Sequence, residues 1–399
     1  MTFDQSQLDA IELAKTSRFC IINGGAGSGK TTIIKAIADH LKSKKEPFAM
    51  CAFAGKAAAR LKEATGHNAT TIHRMLEYSG EDCGFTLSTL RGTTVIIDEA
   101  SMVSSDLMAE ITKRDPARLI LVGDEAQLAP VGKGQPFHDI IKLMPAKVST
   151  LTTCYRNTEA IFKAATAIRN GEMPLPSDKT EGETWGFYAT GGADATHEVI
   201  LQGVRDGKID FSQDVILCCR NGDKEVQKSS VESMNEDIKA IVNPTDTPIA
   251  KGDRIINTKN NAELDIWNGT TGSVKEVDHG GGIWMTLDYP IVDFVRSTPE
   301  NTVYINDVLV TRDHRKHLKL AYALTVHKSQ GSQYRNVYFV CLARDQARLL
   351  DRSMIYTAVT RARKECAVLG EPRALAEGIR TVRTKETVIQ ELSKGANIK

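Results

Sequence analysis

The sequence has little of what would place a protein in a membrane or outside the cell. Its apolar runs are far shorter than the roughly 20 residues of a membrane-spanning helix, so we expect no transmembrane segment. The N-terminal residues Met1–Gln5 lack the basic and apolar regions of a secretory signal. Eight cysteines are scattered without C-x-x-C spacing, which argues against a zinc site and predicts buried, reduced thiols. These absences favour a cytoplasmic protein.

The sequence also lacks an excess of charge of either sign. Lysine and arginine number 51 against 50 aspartates and glutamates, and the formal net charge is +1. A polyanion would therefore have to bind in a local groove, because the whole molecule offers it no net attraction. The clearest basic cluster is 312–319, but a solvated strand or loop face explains such a run more often than a binding site does. A chain of 399 residues is long enough for two or three domains.

What the sequence does have is a phosphate-binding loop at Gly24–Thr31. The segment fits the pattern G-x-x-x-x-G-K-[ST], with Gly24, Gly29, Lys30 and Thr31 at the fixed positions. An apolar strand precedes it and an amphipathic helix follows, so backbone N–H groups and a helix N-terminus converge on one point. This predicts a nucleoside triphosphate site, with Lys30 near the β- and γ-phosphates and the Thr31 hydroxyl on Mg²⁺.

Two further strand ends supply polar groups. The apolar run Val95–Ile97 is followed by Asp98, a candidate Mg²⁺ ligand, and Glu99, a candidate base for the attacking water. The strand Arg118–Val122 leads to a loop with Gln127, whose amide could sense the γ-phosphate. In open parallel sheets, ligands bind at the edge formed by the carboxyl ends of the strands. We predict an α/β protein that hydrolyses a nucleoside triphosphate; a GTPase, a kinase, a recombinase and a helicase are all open at this point.

The second half of the chain alternates helices and strands around an all-β stretch. The composition predicts a Pro/Gly-rich loop over 173–192, a helix over roughly 223–242 and another helix over 348–363. Between the two helices, short strands and an Asn-Gly hairpin signal predict a small β-barrel over 266–318.

A series of motifs then identifies a family. They are Gln7, G-G-A-G-S-G-K-T (24–31), G-K-A-A-A-R-L (55–61), T-T-I-H-R-M-L (70–76), D-E-A-S-M (98–102), G-D-E-A-Q-L (123–128), Y-R (155–156), T-V-H-K-S-Q-G (325–331) and Y-T-A-V-T-R-A-R (356–363). In these motifs, and in their order, the chain closely resembles superfamily 1 DNA helicases of the RecD/Dda branch, known as superfamily 1B.

The resemblance implies a fold of two RecA-like P-loop cores with parallel sheets. It assigns 1–149 to the first core, with a short pin-type insertion at about 77–92. The second core takes 150–399, with an SH3-like β-barrel insertion at about 266–318. ATP with Mg²⁺ would be hydrolysed in the cleft between the cores, while the protein moves 5′→3′ on single-stranded DNA.

The resemblance also implies the site residues. The catalytic set is Lys30, Glu99, Gln127, Arg156 and Arg361, in which the two arginines stabilise charge on the γ-phosphate from the second core. The nucleotide-binding set is Gln7, Gly24, Gly27, Ser28, Gly29, Lys30, Thr31, Thr32, Tyr155 and Gln330, with Mg²⁺ on Thr31 and Asp98. The DNA-binding set is Lys56, Thr71 and His73 on the first core and Thr325, His327 and Lys328 on the second.

The expected substrates are single-stranded DNA and forked or tailed duplex DNA. We expect a monomer in the cytoplasm of a bacterial or phage-infected cell, with a single-strand-binding or replisome protein as its partner. Three positions depart from the family pattern. Ala54 replaces a common threonine, Ala129 replaces a common proline, and the excursion at 77–92 is short for a strand-separating pin.

Two other functions stay open. One is a DNA-bound ATPase switch that recruits replication or repair partners without unwinding, which the short pin region favours. The other is an RNA helicase, which would differ by the stimulation of its ATPase by RNA rather than DNA. No cluster of acids with metal-ligand spacing is left for a nuclease once the nucleotide site is assigned.

Overall fold

A computed structural model describes residues 3–79, 84–153, 155, 159–177, 184–222, 228–261, 263–292, 296 and 303–383. The chain divides into two units, and each unit contains its own parallel sheet. The second unit is Thr158–Val382, and the first contains Met1–Asn157 together with Arg383, which corrects the expected second core at 150–399. No helix within these ranges is long and apolar enough to cross a membrane. The six cysteines that the structure describes are all buried with free thiols, and burial raises their pKa values, that of Cys20 to about 12.

The first unit alternates strands and helices along the chain. Its strands are β1 (Phe19–Gly24), β2 (Phe48–Ala52), β3 (Ala69–Thr71), β4 (Tyr78–Ser79), β5 (Gly84–Phe85), β6 (Thr94–Asp98), β7 (Arg118–Gly123) and β8 (Val148–Leu151). Its helices are α1 (Gln5–Thr16), α2 (Lys30–Ser43), α3 (Gly55–Thr65), α4 (Ile72–Met75), α5 (Ser105–Thr112) and α6 (Pro136–Leu143), with short 3-10 helices at Ala100–Met102 and Pro145–Lys147.

The first sheet has six parallel strands in the order β3-β2-β6-β7-β1-β8. Neighbouring residues of β1 point to opposite faces, and both faces are covered. Ile22 packs in a cluster with Ile33 of α2, while Ile21 packs in a second cluster with Phe137 of α6. Such two-sided burial explains the continuous apolar runs of these strands. Because β6, β7 and β1 are parallel neighbours in the sheet, their carboxyl ends lie side by side.

The sequence-based boundary at 149/150 falls inside β8. This strand pairs in parallel with β1, for example Ile22 with Ser149, so it belongs to the first sheet and the first unit continues to Asn157. The excursion at 77–92 contains the antiparallel pair β4 and β5, in which Tyr78 lies opposite Phe85. Its use as a strand-separating pin stays a prediction.

The second unit contains both a parallel and an antiparallel sheet. Its strands are β9 (Thr184–Ala189), β10 (Val215–Cys218), β11 (Arg254–Asn257), β12 (Thr271–Val277), β13 (Ile283–Val292), β14 (Tyr304–Val310), β15 (Leu318–Leu320), β16 (Ala323–Thr325), β17 (Tyr334–Cys341) and β18 (Ala362–Gly370). Its helices are α7 (Glu159–Asn170), α8 (Ala193–Arg205), α9 (Val231–Val242), α10 (Arg312–Arg315), α11 (Arg352–Val359) and α12 (Pro372–Arg380), with 3-10 helices at His327–Ser329 and Ala343–Asp345.

The parallel sheet of this unit has the order β16-β10-β17-β18-β9 and corrects two sequence expectations. Strand β9 lies within the predicted loop 173–192, where it pairs along its whole length with β18 and buries Trp185. The predicted helix 348–363 ends at Val359, because the chain enters β18 at Ala362. Only Thr360 and Arg361 join the two elements.

The helix predicted over 223–242 begins later than expected. Residues 223–227 lie outside the described part of the chain, and 228–230 form a turn. Helix α9 starts at Val231, because Ser230 and Ser233 form a reciprocal capping box at its N-terminus.

The antiparallel sheet has the order β14-β13-β12-β11-β15 and one buried face, which includes Ile255, Val274 and Met285. It is longer than the predicted insertion 266–318, because the strand at Arg254–Asn257 pairs with β12 and β15 and not with the parallel sheet. Among the described strands, β14 and β15 are the two edges of an open sheet. A closed SH3-like barrel is therefore not confirmed.

Candidate nucleotide site and associated motifs

The loop after β1 requires glycine at the positions that the motif fixes. Gly29, the N-cap of α2, has a φ of +82°, which favours glycine. A Cβ on Gly24 would lie 2.4 Å from Ser28 Oγ, and one on Gly29 would lie 2.6 Å from Gln7 Nε2. Gly27 also has a positive φ of +80°. The positive φ angles of Gly27 and Gly29 favour glycine, and a side chain at Gly24 or Gly29 would have to displace Ser28 or Gln7.

Lys30 folds across the loop that it follows. Its Nζ donates to the carbonyl oxygens of Gly24 at 2.7 Å and Gly25 at 2.9 Å. Phosphate oxygens would be stronger partners for the ammonium because they are charged. Thr31 and Thr32 follow in the first turn of α2, where backbone N–H groups lack intrahelical acceptors and attract anions.

Gln7 and Tyr155 lie next to this loop and are joined through Asp4. Asp4 is the N-cap of α1 and forms a capping box with Gln7, whose amide is 4 % exposed. The Tyr155 hydroxyl donates to the Asp4 carboxylate, and the Tyr155 N–H donates to the Gly27 carbonyl at 2.9 Å. Hydrogen bonds, from Tyr155 above all, hold the pKa of Asp4 well below its usual range. An aromatic ring and an amide at one loop suit a planar heterocyclic base.

The two acids at the end of β6 are in an electrostatically unfavourable position. Burial and the neighbouring Glu99 raise the pKa of Asp98 to about 6, and Lys30 opposes the shift. The Glu99 N–H donates to Asp98 Oδ1 at 2.9 Å. Buried Oε2 of Glu99 has no hydrogen-bond partner among the described residues. A divalent cation would relieve this repulsion, and carboxylate and hydroxyl oxygens are ligands that Mg²⁺ prefers, so the residues fit the ion.

Gln127 completes the strand-end groups of the first unit. Its side chain is 3 % exposed, and its Oε1 finds no hydrogen-bond partner within the described ranges. The loop that carries it is fixed to β1, because the Glu125 N–H donates to Asn23 Oδ1 at 3.1 Å. Sequence reasoning missed Asn23, although a polar residue inside the apolar run before the glycine loop is a usable signal.

Arg361 and Gln330 belong to the second unit, and Arg156 lies outside the described residues. Arg361 is 3 % exposed, and its guanidinium donates to Thr357 O at 3.1 Å, Ser332 O at 3.3 Å and Thr360 Oγ1 at 3.3 Å. Gln330 is 5 % exposed and follows the 3-10 helix His327–Ser329. The guanidinium is thus oriented by its own unit.

The residues predicted to bind DNA on the first unit have local structural partners. Lys56 lies in the first turn of α3, whose N-cap Ala54 provides no side-chain cap. Thr71 is the N-cap of α4 and accepts from the Arg74 N–H at 3.1 Å. His73 packs among aromatic rings, with centroids 5.7 Å from Tyr78 and 5.9 Å from Phe85, and burial lowers its pKa. His73 therefore packs against both β4 and β5.

The corresponding residues of the second unit lie at the carboxyl end of β16. Thr325 is its last residue, and its Oγ1 accepts from the Lys328 N–H at 3.3 Å. His327 and Lys328 lie in the short 3-10 helix that follows. Burial, and then Lys319, lowers the pKa of Lys328, so its ammonium is in a position that favours an anionic partner.

These features define a P-loop nucleotide-binding protein with two parallel α/β cores. The AAA domain model matches residues 2–187, and the UvrD-like helicase C-terminal domain model matches 320–369. Both matches agree with the resemblance of this chain to RecD-like helicases of superfamily 1B that its motifs give.

Individual relatives agree with this placement. The ATP-dependent RecD2 DNA helicase of Deinococcus radiodurans is 32 % identical over 373 residues, which cover 90 % of this chain and 48 % of that protein. The RecBCD enzyme subunit RecD of Mycolicibacterium smegmatis is 29 % identical over 444 residues, with 99 % and 76 % covered. This chain thus spans about half the length of the first of these relatives.

Solved structures share the fold. The Pif1 helicase from Bacteroides, in complex with ADP-AlF3 and single-stranded DNA, superposes with a TM-score of 0.58 over 99 % of this chain and 97 % of that one. Sequence identity in this pair is 17 %, so the likeness concerns the fold alone. It confirms the prediction of two RecA-like α/β cores.

Proposed function

We propose that this protein is an ATP-dependent DNA helicase that moves 5′→3′ on single-stranded DNA. The observation that carries the proposal is the set of polar groups at adjacent strand ends of the first sheet. Lys30 lies at the glycine loop after β1, Asp98 ends β6 and Glu99 follows it, and Gln127 follows β7. The buried oxygens Glu99 Oε2 and Gln127 Oε1 lack partners in the described chain. A triphosphate, its metal and an attacking water would supply them.

Each of these groups has a role in the proposed reaction. The loop and Lys30 bind the β- and γ-phosphates, while Thr31 and Asp98 would hold Mg²⁺, which supplies charge neutralisation when bound. Glu99 orients and deprotonates the water, and Gln127 senses the γ-phosphate. Gln7 and Tyr155 contact the base. Gly24, Gly27, Ser28, Gly29 and Thr32 complete the phosphate cradle.

Hydrolysis would be completed by two proposed arginine fingers, each contributing about 10³-fold or more to the rate. Arg361 belongs to the second unit, whereas Arg156, expected on the second core, falls within the bounds of the first unit. Gln330 would contact the γ-phosphate. The three hydrogen bonds of Arg361 within its own unit favour this role, because they hold the guanidinium in one orientation before ATP binds.

DNA binding is proposed at both units. Lys56, Thr71 and His73 on the first, and Thr325, His327 and Lys328 on the second, would contact the DNA backbone. The 32 % identity with a protein named as an ATP-dependent DNA helicase supports DNA as the substrate, and we propose single-stranded and forked or tailed DNA. We propose a monomer in the cytoplasm that acts in replication, repair or recombination with a single-strand-binding or replisome partner.

The decisive assay is ATP-driven strand displacement from forks that carry either a 5′ or a 3′ single-stranded tail. We expect displacement from the 5′-tailed fork only. Displacement only from the 3′-tailed fork would reverse the polarity. ATPase activity that DNA stimulates, without displacement from either fork, would favour a switch that recruits partners. Stimulation by RNA and not by DNA would identify an RNA helicase.

A further inference from the structure

A buried face of α9 holds the segment that leads into the Thr325–Lys328 motif. Asn235 and Lys239 form this face, one helical turn apart, with 5 % and 7 % of their surfaces exposed. Neither residue belongs to a motif that identifies the family. Asn235 nevertheless hydrogen-bonds the chain at β16, and Lys239 binds Thr245 and Asp253, the residue before β11.

Asn235 binds the backbone where the chain passes from the antiparallel sheet to the parallel sheet. Its Nδ2 donates to Leu320 O at 3.2 Å and to Ala323 O at 3.0 Å, and its Oδ1 accepts from the Ala323 N–H at 2.8 Å. Both ends of the amide are therefore used. These bonds fix the residue with which β16 begins.

Lys239 anchors the other crossing between the two sheets. Asp253, which directly precedes β11, has no exposed surface, and its Oδ2 lies 2.6 Å from Lys239 Nζ. The carboxylate also accepts from Asn243 Nδ2 at 2.7 Å, the Ala250 N–H at 2.7 Å and the Tyr322 hydroxyl at 2.8 Å. A buried carboxylate persists only when paired and hydrogen-bonded in this way. The chain entering the antiparallel sheet and the chain leaving it are thus joined to each other and to α9.

The strand between this anchor and the motif is short. β16 runs only from Ala323 to Thr325, so at about 3.3 Å per residue the anchored end lies within about 10 Å of the motif. Thr325 in turn accepts from the Lys328 N–H. A strand of this length cannot absorb a displacement, so a shift at Ala323 would reach Thr325 and Lys328.

We propose that Asn235 and Lys239 are positioning residues for the DNA-contacting motif of the second unit. They set the place and direction of β16, and through it the place of Thr325 and Lys328. This role rests on the proposed function, since it concerns the affinity for single-stranded DNA.

The test compares Asn235→Ala with Asp237→Asn. Asp237 lies on another face of α9, where it pairs with His197 Nε2 at 2.7 Å, so its substitution controls for general loss of helix contacts. The measurement is the concentration of single-stranded DNA that gives half-maximal ATPase stimulation. Asn235→Ala should raise it about tenfold, because three hydrogen bonds that position the motif are lost. The rate at saturating DNA should stay within about twofold of wild type.

Asp237→Asn should lower the melting temperature and leave the half-saturating DNA concentration unchanged. Tyr322→Phe, which removes a single hydroxyl from the Asp253 carboxylate, should shift that concentration about threefold in the same direction as Asn235→Ala. If Asn235→Ala does not fold, the result for Tyr322→Phe decides whether the positioning role holds.

Equal shifts in Asn235→Ala and Asp237→Asn, or no shift in Asn235→Ala and Tyr322→Phe, would overturn the positioning role. A wild-type ATPase that no DNA stimulates would instead show that the proposed function is wrong, and the positioning role would be rejected with it.

Discussion

The two units treat the polar side chains of their functional motifs differently. In the first unit, Glu99 and Gln127 each keep a buried oxygen without a hydrogen-bond partner in the described chain, and the pKa of Asp98 is raised to about 6. In the second unit, the guanidinium of Arg361 donates to three acceptors, and the buried carboxylate of Asp253 accepts from four donors.

This difference indicates which unit a ligand completes. An unsatisfied buried polar group costs about 1–3 kcal/mol, so it is retained where another molecule supplies the partner. Glu99 and Gln127 of the first unit therefore carry the signature of a binding site that a ligand completes. Arg361 of the second unit carries the signature of pre-orientation, in which neighbours hold a group ready to act. Substitutions in the first unit should therefore change ligand binding and stability, and substitutions of Arg361 in the second should change turnover.

The largest effect is expected at the phosphate loop. Lys30→Ala should lower ATP turnover by more than about 10³-fold, because the loop loses the cation that stabilises the γ-phosphate. The measurement is steady-state ATPase activity with saturating single-stranded DNA. Lys35→Ala is the matched control, since Lys35 lies on the same helix in a surface pair with Asp39. Comparable losses in both variants would contradict the assignment.

A nearly equal effect is expected from the pre-oriented guanidinium. Arg361→Ala should lower turnover about 10³-fold and leave ATP binding mostly intact, because the finger acts in the transition state. ATP binding is measured by fluorescence titration and turnover by steady-state kinetics. Arg363→Ala is the control, since this exposed arginine lies two residues later in the chain, in β18. Normal hydrolysis by Arg361→Ala with DNA present would refute the finger.

The smallest effect concerns stability. It tests whether the ionised Asp98 carboxylate destabilises the folded first unit. The pKa of Asp98 in the folded protein, about 6, lies above its ordinary value of 3.8, so folding favours the protonated form. The contribution of the protonated Asp98 carboxyl to the free energy of unfolding is fully present below about pH 4, and it is lost as the pH rises through about 6. Asp98→Asn, which is always neutral, should therefore raise the melting temperature at pH 8 by about 3 °C.

The gain should disappear at pH 4, where the wild-type carboxyl is protonated as well. The measurement is thermal unfolding without nucleotide across this pH range. Asp106→Asn, at an exposed position in the first turn of α5, should show no such gain. If Asp98→Asn is less stable than wild type at pH 8, the carboxylate is stabilised by its surroundings and the contrast between the units is wrong.

Local signals in the sequence were sufficient for the nucleotide loop and its flanking elements. The glycine pattern of Gly24–Thr31, the N-cap at Asp4 and the threonine that caps α4 are determined by neighbours within a few residues. Such patterns can be interpreted without knowing the fold. The two adjacent acids after β6 are of the same kind.

Contacts between distant residues could not be found in this way. β9 was missed because prolines and glycines surround it, and its identity as a strand comes from pairing with β18 some 180 residues later. The early end of α11 is set by that same sheet. Asn235 and Asp253 resemble ordinary polar residues in the sequence, since their partners Ala323 and Tyr322 lie about 70 to 90 residues away.

The contact between Tyr155 and the phosphate loop has a consequence for communication along the chain. Tyr155 is hydrogen-bonded to Gly27 and Asp4, and it lies three residues before the second unit begins. The polypeptide therefore departs from the first unit at the nucleotide pocket itself. A base that displaces the Tyr155 ring would therefore act on the chain three residues before the second unit begins.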